Sequence, residues 1–331
     1  MKKRDAKNFY RLKMFAGGLA LGGLFLFGTA ENAWAQMAPK IVVTDSSGEF
    51  VVDGNSFSDV ADSLDGNRAV LYDDVTESAA VEFSGEDVSF SITSSDGTTK
   101  RISLLGDEAF FHLTTNSNNT LTLDLSGVKF ASSVISSTGG NVTLTGDATI
   151  FTLFGRAIES DQGILINGTF DFQGGSGSAE PLGAIAGGTG DIYVYGKNTF
   201  QQNVSGESGG AIYSSDANVL LYGENIFRAN TADGAGGAIY SAGGGITLSG
   251  KNTFHGNTSQ GNGGAFAVEG DTVTISGVNV FFGNSSDING GAIATGSGSI
   301  TFWGNGSTAT FTGNIYSCHF KIQFSPATRW N

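Results

Sequence analysis

The residues of this chain that could do chemistry are few, and their spacing does not favour it. His112, His255 and His319 share no metal-ligand spacing. His255 reads as a surface residue beside a turn. The one cysteine, Cys318, excludes a disulfide framework and argues against a structural zinc site. Glycoside chemistry needs two carboxylates about 5–10 Å apart on one face. The acids of the second half, Glu207, Asp216, Glu224, Asp233, Glu269, Asp271 and Asp287, are scattered. Their nearest approach, Asp216 with Asp271, reads as two solvated turn acids. Gly187-Gly188-Thr189-Gly190-Asp191 is one residue short of a calcium-binding nonapeptide and stands alone. No P-loop occurs. The expectation is a non-enzymatic protein with no cofactor and no metal.

Composition points to the framework instead. Of 331 residues, 51 are glycine, 25 phenylalanine and 3 proline, and the net charge is −14. Such acidity argues against a nucleic-acid partner, which wants a basic surface. At 39% hydrophobic the chain is too apolar to be disordered by composition. Gly-X-Y periodicity is missing, which excludes collagen. Many glycines and only 15% charged residues imply an all-β, turn-dense fold. Residues 1–35 read as a secretory signal peptide. Lys2, Lys3, Arg4, Lys7, Arg11 and Lys13 precede the apolar run Met14–Gly28, and Ala33-Trp34-Ala35 supplies the small-residue cleavage site at Ala33 and Ala35. The apolar run is short for a membrane anchor.

Two motifs keep one beat. Gly-Gly-Ala occurs at Gly209-Gly210-Ala211, Gly236-Gly237-Ala238, Gly263-Gly264-Ala265 and Gly290-Gly291-Ala292, followed by Ile212, Ile239, Phe266 and Ile293. Phe-x-x-Asn occurs at Phe200/Asn203, Phe227/Asn230, Phe254/Asn257 and Phe281/Asn284, with a fifth, later copy at Phe311/Asn314. Between them lie alternating segments: DIYVYG, NVLLYG, GITLSG, TVTISG and SITFWG. Alternation sends neighbours to opposite faces. The set Ile192/Val194, Val219/Leu221, Ile246/Leu248, Val273/Ile275 and Ile300/Phe302 must face inward. Tyr193, Tyr195, Leu220, Tyr222 and Trp303 belong to the outward set. They are a candidate contact surface, unless a loop or the N-terminal segment covers them.

A unit of about 27 residues cannot bury its own apolar face, but it can stack on a copy of itself. The expected fold is all-β: a right-handed parallel β-helix of ~27-residue coils. Propeller blades need about 40–50 residues. Like residues then meet like: a phenylalanine column inside, an asparagine ladder at a turn, and glycine pairs where a Cβ would strike the next coil.

Four phased copies of GGA[I/L/V] and FxxN resemble the polymorphic outer membrane proteins of chlamydiae, over roughly residues 196–314, with weaker copies back to about 140. The GGAF at 263–266 is a departure within the motif. The resemblance implies an autotransporter: a signal peptide, a β-helical passenger at the cell surface or secreted, and a C-terminal β-barrel in the outer membrane. It also implies adhesion, carried by these motifs, with a host-cell surface protein or like passenger chains as partners. The expected division is residues 1–35 as signal, 36–140 as an N-terminal cap with irregular coils, 141–314 as passenger repeats and 315–331 as a non-repeat tail. A short helix over Asp59–Leu64 belongs to the cap. The tail breaks the pattern and no barrel sequence follows it, so a truncated or frameshifted copy is one expectation. The alternatives to an adhesin are a β-helical glycan-active enzyme and a non-functional remnant lacking its barrel.

Overall fold

The computed structural model describes residues 39–315, apart from 106–108, 116–118, 153–155, 175–182 and 305. The expected signal peptide with Ala33 and Ala35, and the tail with Cys318 and His319, lie outside the described residues. The described chain is a parallel β-solenoid of about eight coils. It has three ladders, each a column of strands from successive coils.

The longest ladder carries the alternating segments and the Phe-x-x-Asn phenylalanines. Its regular members are Ile192–Gln201, Val219–Arg228 and Ile246–His255. Their partners fall in strict register: Val194 on Leu221, Phe200 on Phe227, Phe227 on Phe254. A second ladder stacks the short strands after Gly-Gly-Ala, such as Ile212–Ser214 on Ile239–Ser241. A third pairs two-residue strands after the motif asparagine, Val204–Ser205 on Thr231–Ala232 and onward.

The inward set is buried, apart from Phe302 near the last coil, which is partly buried. Ile192, Val194, Val219, Leu221, Ile246 and Leu248 are at 0% exposure, and so are Phe200, Phe227, Phe254 and Phe281. Burial of each such side chain contributes about 1.5–3 kcal/mol. The rings lie flat on one another at 4.7–5.0 Å from Phe172 through Phe311. The backbone dictates this geometry, because parallel coils rise by about 4.8 Å.

The two glycines of each pair are needed for different reasons. Gly236 sits at φ +69°, a left-handed conformation that strains any residue with a Cβ. Gly237 has no such φ, but a Cβ there would lie 2.2 Å from the Gly264 carbonyl oxygen of the next coil. The alanine that follows, Ala238, is fully buried.

Parallel stacking reaches back to Arg68–Leu71, which pairs with Val88–Ser94. Before it the ladder changes sense. Ile41–Thr44 lies antiparallel between Phe50–Gly54 and Arg68–Leu71. The helix expected over Asp59–Leu64 is a single 3-10 turn, Ala61–Ser63. Asp59 turns its carboxylate onto the N–H groups of Asn55 and Ser56 instead. The buried Glu77 pins this cap by accepting from the Phe57 N–H and the Ser58 hydroxyl.

Candidate functional site

The motif residues are framework. Asn203, Asn230, Asn257 and Asn284 are at most 2% exposed. Asn257 donates from Nδ2 to the Phe227 carbonyl (3.0 Å) and to Oδ1 of Asn284 (2.9 Å). Its own Oδ1 accepts from the backbone N–H and Nδ2 of Asn230. Asn230, Asn257 and Asn284 thus each bind a carbonyl of the coil before and the asparagines on both sides, and the series runs to Asn314. Gly209, Gly210, Ala211, Ile212, Gly263, Gly264, Ala265, Gly290, Gly291, Ala292 and Ile293 are likewise buried. A receptor approaching the described surface does not reach these side chains, with Phe311 (39% exposed) and Asn314 at the last coil less enclosed.

A second ladder of this kind went unread in the sequence. Asn198, Asn225, Asn252 and Asn279 are buried and joined through Nδ2 to Oδ1 at 2.9–3.1 Å. The signal was available, since each stands two residues before a motif phenylalanine. The ladder stops at Asn198, whose Oδ1 is buried without a partner. The preceding coil places Phe170 in that register.

The outward set gathers into a strip. Tyr195 stacks on Tyr222 at 4.9 Å, and Tyr193 on Tyr195 at 6.3 Å. Tyr195 is 36% exposed and Trp303 61%. Tyr193 donates its hydroxyl to Asp191 (3.2 Å), and the Asp191 charge raises the Tyr193 pKa above its ordinary value. Asp191 also accepts from the N–H and Nδ2 of Asn218. The carboxylate of the partial calcium motif is thus engaged within the chain. Next along the face, Lys251 and Lys197 flank Glu224. The Lys251 hydrogen bond lowers the Glu224 pKa, and the charges of both lysines add to it.

One constellation resembles chemistry. On the second ladder Glu82, His112 and Ser136 share a register. His112 Nε2 lies 3.0 Å from Ser136 Oγ and Nδ1 lies 3.4 Å from Glu82. An acid, base and hydroxyl in line are two-thirds of what acyl transfer needs; the rest is donors for an oxyanion. The strands here are joined in ladders on both sides of Ser133–Thr138, which occupies the backbone groups that could serve. Asp216 and Asp271 remain exposed turn residues on separate coils. Among the described residues, no group of three or more His, Cys, Asp or Glu side chains is placed to hold a metal ion.

No curated protein and no solved structure matches the chain. The family model of the Chlamydia polymorphic membrane protein repeat matches residues 199–215 and 226–242. Each match runs from beside the motif phenylalanine through Gly-Gly-Ala-Ile-Tyr-Ser. Two successive coils of this solenoid are therefore similar to the Chlamydia polymorphic membrane protein repeat.

Proposed function

We propose that this chain is the passenger of an autotransporter, exported and held at the bacterial surface, and that it attaches the cell to a host cell. The repeat and the solenoid fit such a passenger. The observation that carries the adhesive reading is the division of labour within each coil. The repeated residues are spent inside, and the outward positions differ from coil to coil. Variable outward residues on a constant frame suit recognition, and aromatic residues are enriched at binding hot spots. Tyr193, Tyr195, Tyr222 and Trp303 form the contact surface, and the partner is a host-cell surface molecule. On this reading the Gly-Gly-Ala and Phe-x-x-Asn motifs support adhesion by setting the coil, without touching the receptor. The chain carries out no catalysis.

The test is attachment of beads coated with the chain to host cells, together with surface proteolysis of intact bacteria. Tyr195→Ala with Tyr222→Ala should weaken attachment and leave the melting temperature in place. Loss of stability with attachment intact would mean that these rings serve the fold. A chain that proteases cannot reach on intact cells is no adhesin.

A further inference from the structure

We propose that the outer face between Tyr222 and Trp303 is a binding site for a short, uncharged oligosaccharide. This rests on the reading of that face as the contact surface and names the chemistry of what it contacts. Tyr222 lies over Ser249 in the ladder. The same column continues through Ser276 to Trp303, whose N–H groups bond the coils before them at Leu248 and Ile275. Beside it run Leu220, Thr247, Thr274 and Thr301. The walls are therefore aromatic and the floor is built of short hydroxyl side chains. Coils rise by about 4.8 Å, so Tyr222 and Trp303, three coils apart, stand about 14 Å from each other.

One face of Tyr222 is taken by Tyr195. The other looks along the column, over Ser249, toward Trp303. Aromatic faces pack against the C–H faces of sugar rings, and floor hydroxyls exchange hydrogen bonds with sugar hydroxyls. The floor repeats once per coil, as the hydroxyls of an extended saccharide repeat once per ring.

Other ligand classes fit less well. The chain carries −14 overall, yet this floor holds no charged side chain. Lys251, two residues beyond Ser249, is paired with Glu224 at 2.8 Å. An anionic or cationic ligand has no complementary charge here. A peptide adding as a strand would need a free sheet edge, and this is a sheet face whose backbone groups are engaged in the ladders.

The experiment titrates the full chain with chitotriose and with cellotriose, read by saturation-transfer NMR. The expected result is saturable binding of at least one trimer. Tyr222→Ala and Trp303→Ala should each weaken it by about tenfold or more, with the melting temperature unchanged. Ser249→Phe, which fills the floor without removing a wall, should do the same. Absence of saturable binding to both trimers overturns the proposal, and so does undiminished binding by Trp303→Ala. A chain that attaches to host cells but binds neither trimer loses this site and keeps the adhesive role. A chain that binds a trimer but does not attach keeps the site and loses that role.

Discussion

In the coils that hold Phe57, Phe90, Phe110, Phe111 and Phe130, these rings meet edge to face at 4.7–6.4 Å, with planes 62–89° apart. In the coils from Phe172 to Phe311 the rings of the Phe-x-x-Asn column lie flat, with planes at most 7° apart, and Phe266 meets that column edge to face at 61°. Both interiors are closed by the same parallel ladder. Coil length differs as well. Residues meeting across coils are 33, 27, 24 or 21 apart in the first region, whereas most in the second are 27 apart. The contrast teaches that a solenoid does not need repetition to close, since unlike rings interlock as well as like rings stack. Repetition adds something else: side-chain amides that each donate to one coil and accept from another, so that hydrogen bonds run on through successive coils. Among the described residues, the first region has packing without such ladders, and the second has both.

The sharpest break of this comparison is at a glycine. Gly237→Val drives a side chain into the backbone of the next coil, with Gly264 O at 2.2 Å and Thr258 at 2.7 Å. No rotamer escapes a clash that begins at Cβ. The cost should exceed about 3 kcal/mol, beyond ordinary overpacking. In the first region Gly97→Ala meets nothing within 4 Å and bears only the strain of φ +76°, about 1–2 kcal/mol. Thr247→Val, on the outward face of the second region, should be close to neutral. Thermal melts of the three variants check the order. Equal melting temperatures for Gly237→Val and Thr247→Val would remove the physical basis for the coil contact.

The same contrast explains what could be read in advance. Phe200, Phe227, Phe254 and Phe281 announced their column because spacing in the sequence became spacing in the ladder. The inward and outward faces of Ile192–Gln201 followed from alternation. In the first region Val88 stands on Leu121 and Leu121 on Val142. Unequal steps and unlike residues leave no period to detect there. The antiparallel start at Ile41–Thr44 depends on distant pairing, which local pattern does not encode. The pairing of His112 with Glu82 and Ser136 was invisible for the same reason. The aromatic strip was legible as a set of outward residues, but the trough between Tyr222 and Trp303 needed the register.

The next test concerns the ladders. Asn257→Ala removes one rung and takes a partner from several groups at once: the Phe227 carbonyl, and the Asn230 N–H and Nδ2, while the Asn284 Oδ1 keeps only the backbone N–H of residue 257. Buried groups left unpaired cost about 1–3 kcal/mol each, and relaxation lets some find new partners. A loss of about 3 kcal/mol is expected, read by denaturant unfolding. Asn67→Ala in the first region removes bonds only to its own turn, at Ser63 and Asp65. Its cost should stay near about 1 kcal/mol. If the two losses are alike, hydrogen bonding from coil to coil adds nothing beyond a local turn.

The smallest effects separate the regions by how their carboxylates are held. Asp96 sits in a loop of the first region. The Thr98 hydroxyl and N–H hold its pKa well below the usual carboxylate range, and Lys100 adds to this. Glu224, in the second, is lowered mainly by Lys251 and then by Lys197, both from neighbouring coils. For both groups the folded pKa lies below the unfolded one. Any stability they contribute is present above the ordinary carboxylate pKa and fades as pH falls through the folded value. Surface ion pairs are worth little, so Glu224→Gln should leave the melting temperature almost unchanged. The informative measurement is a carboxyl NMR titration in low and high salt. Salt screens charges across solvent but not a hydroxyl donor 2.7 Å away. Glu224 should therefore move back toward its ordinary value in high salt while Asp96 stays low. An identical salt response would mean that the cross-coil lysines do not set the Glu224 charge, and that its pairing with Lys251 does not neutralise the edge of the saccharide trough.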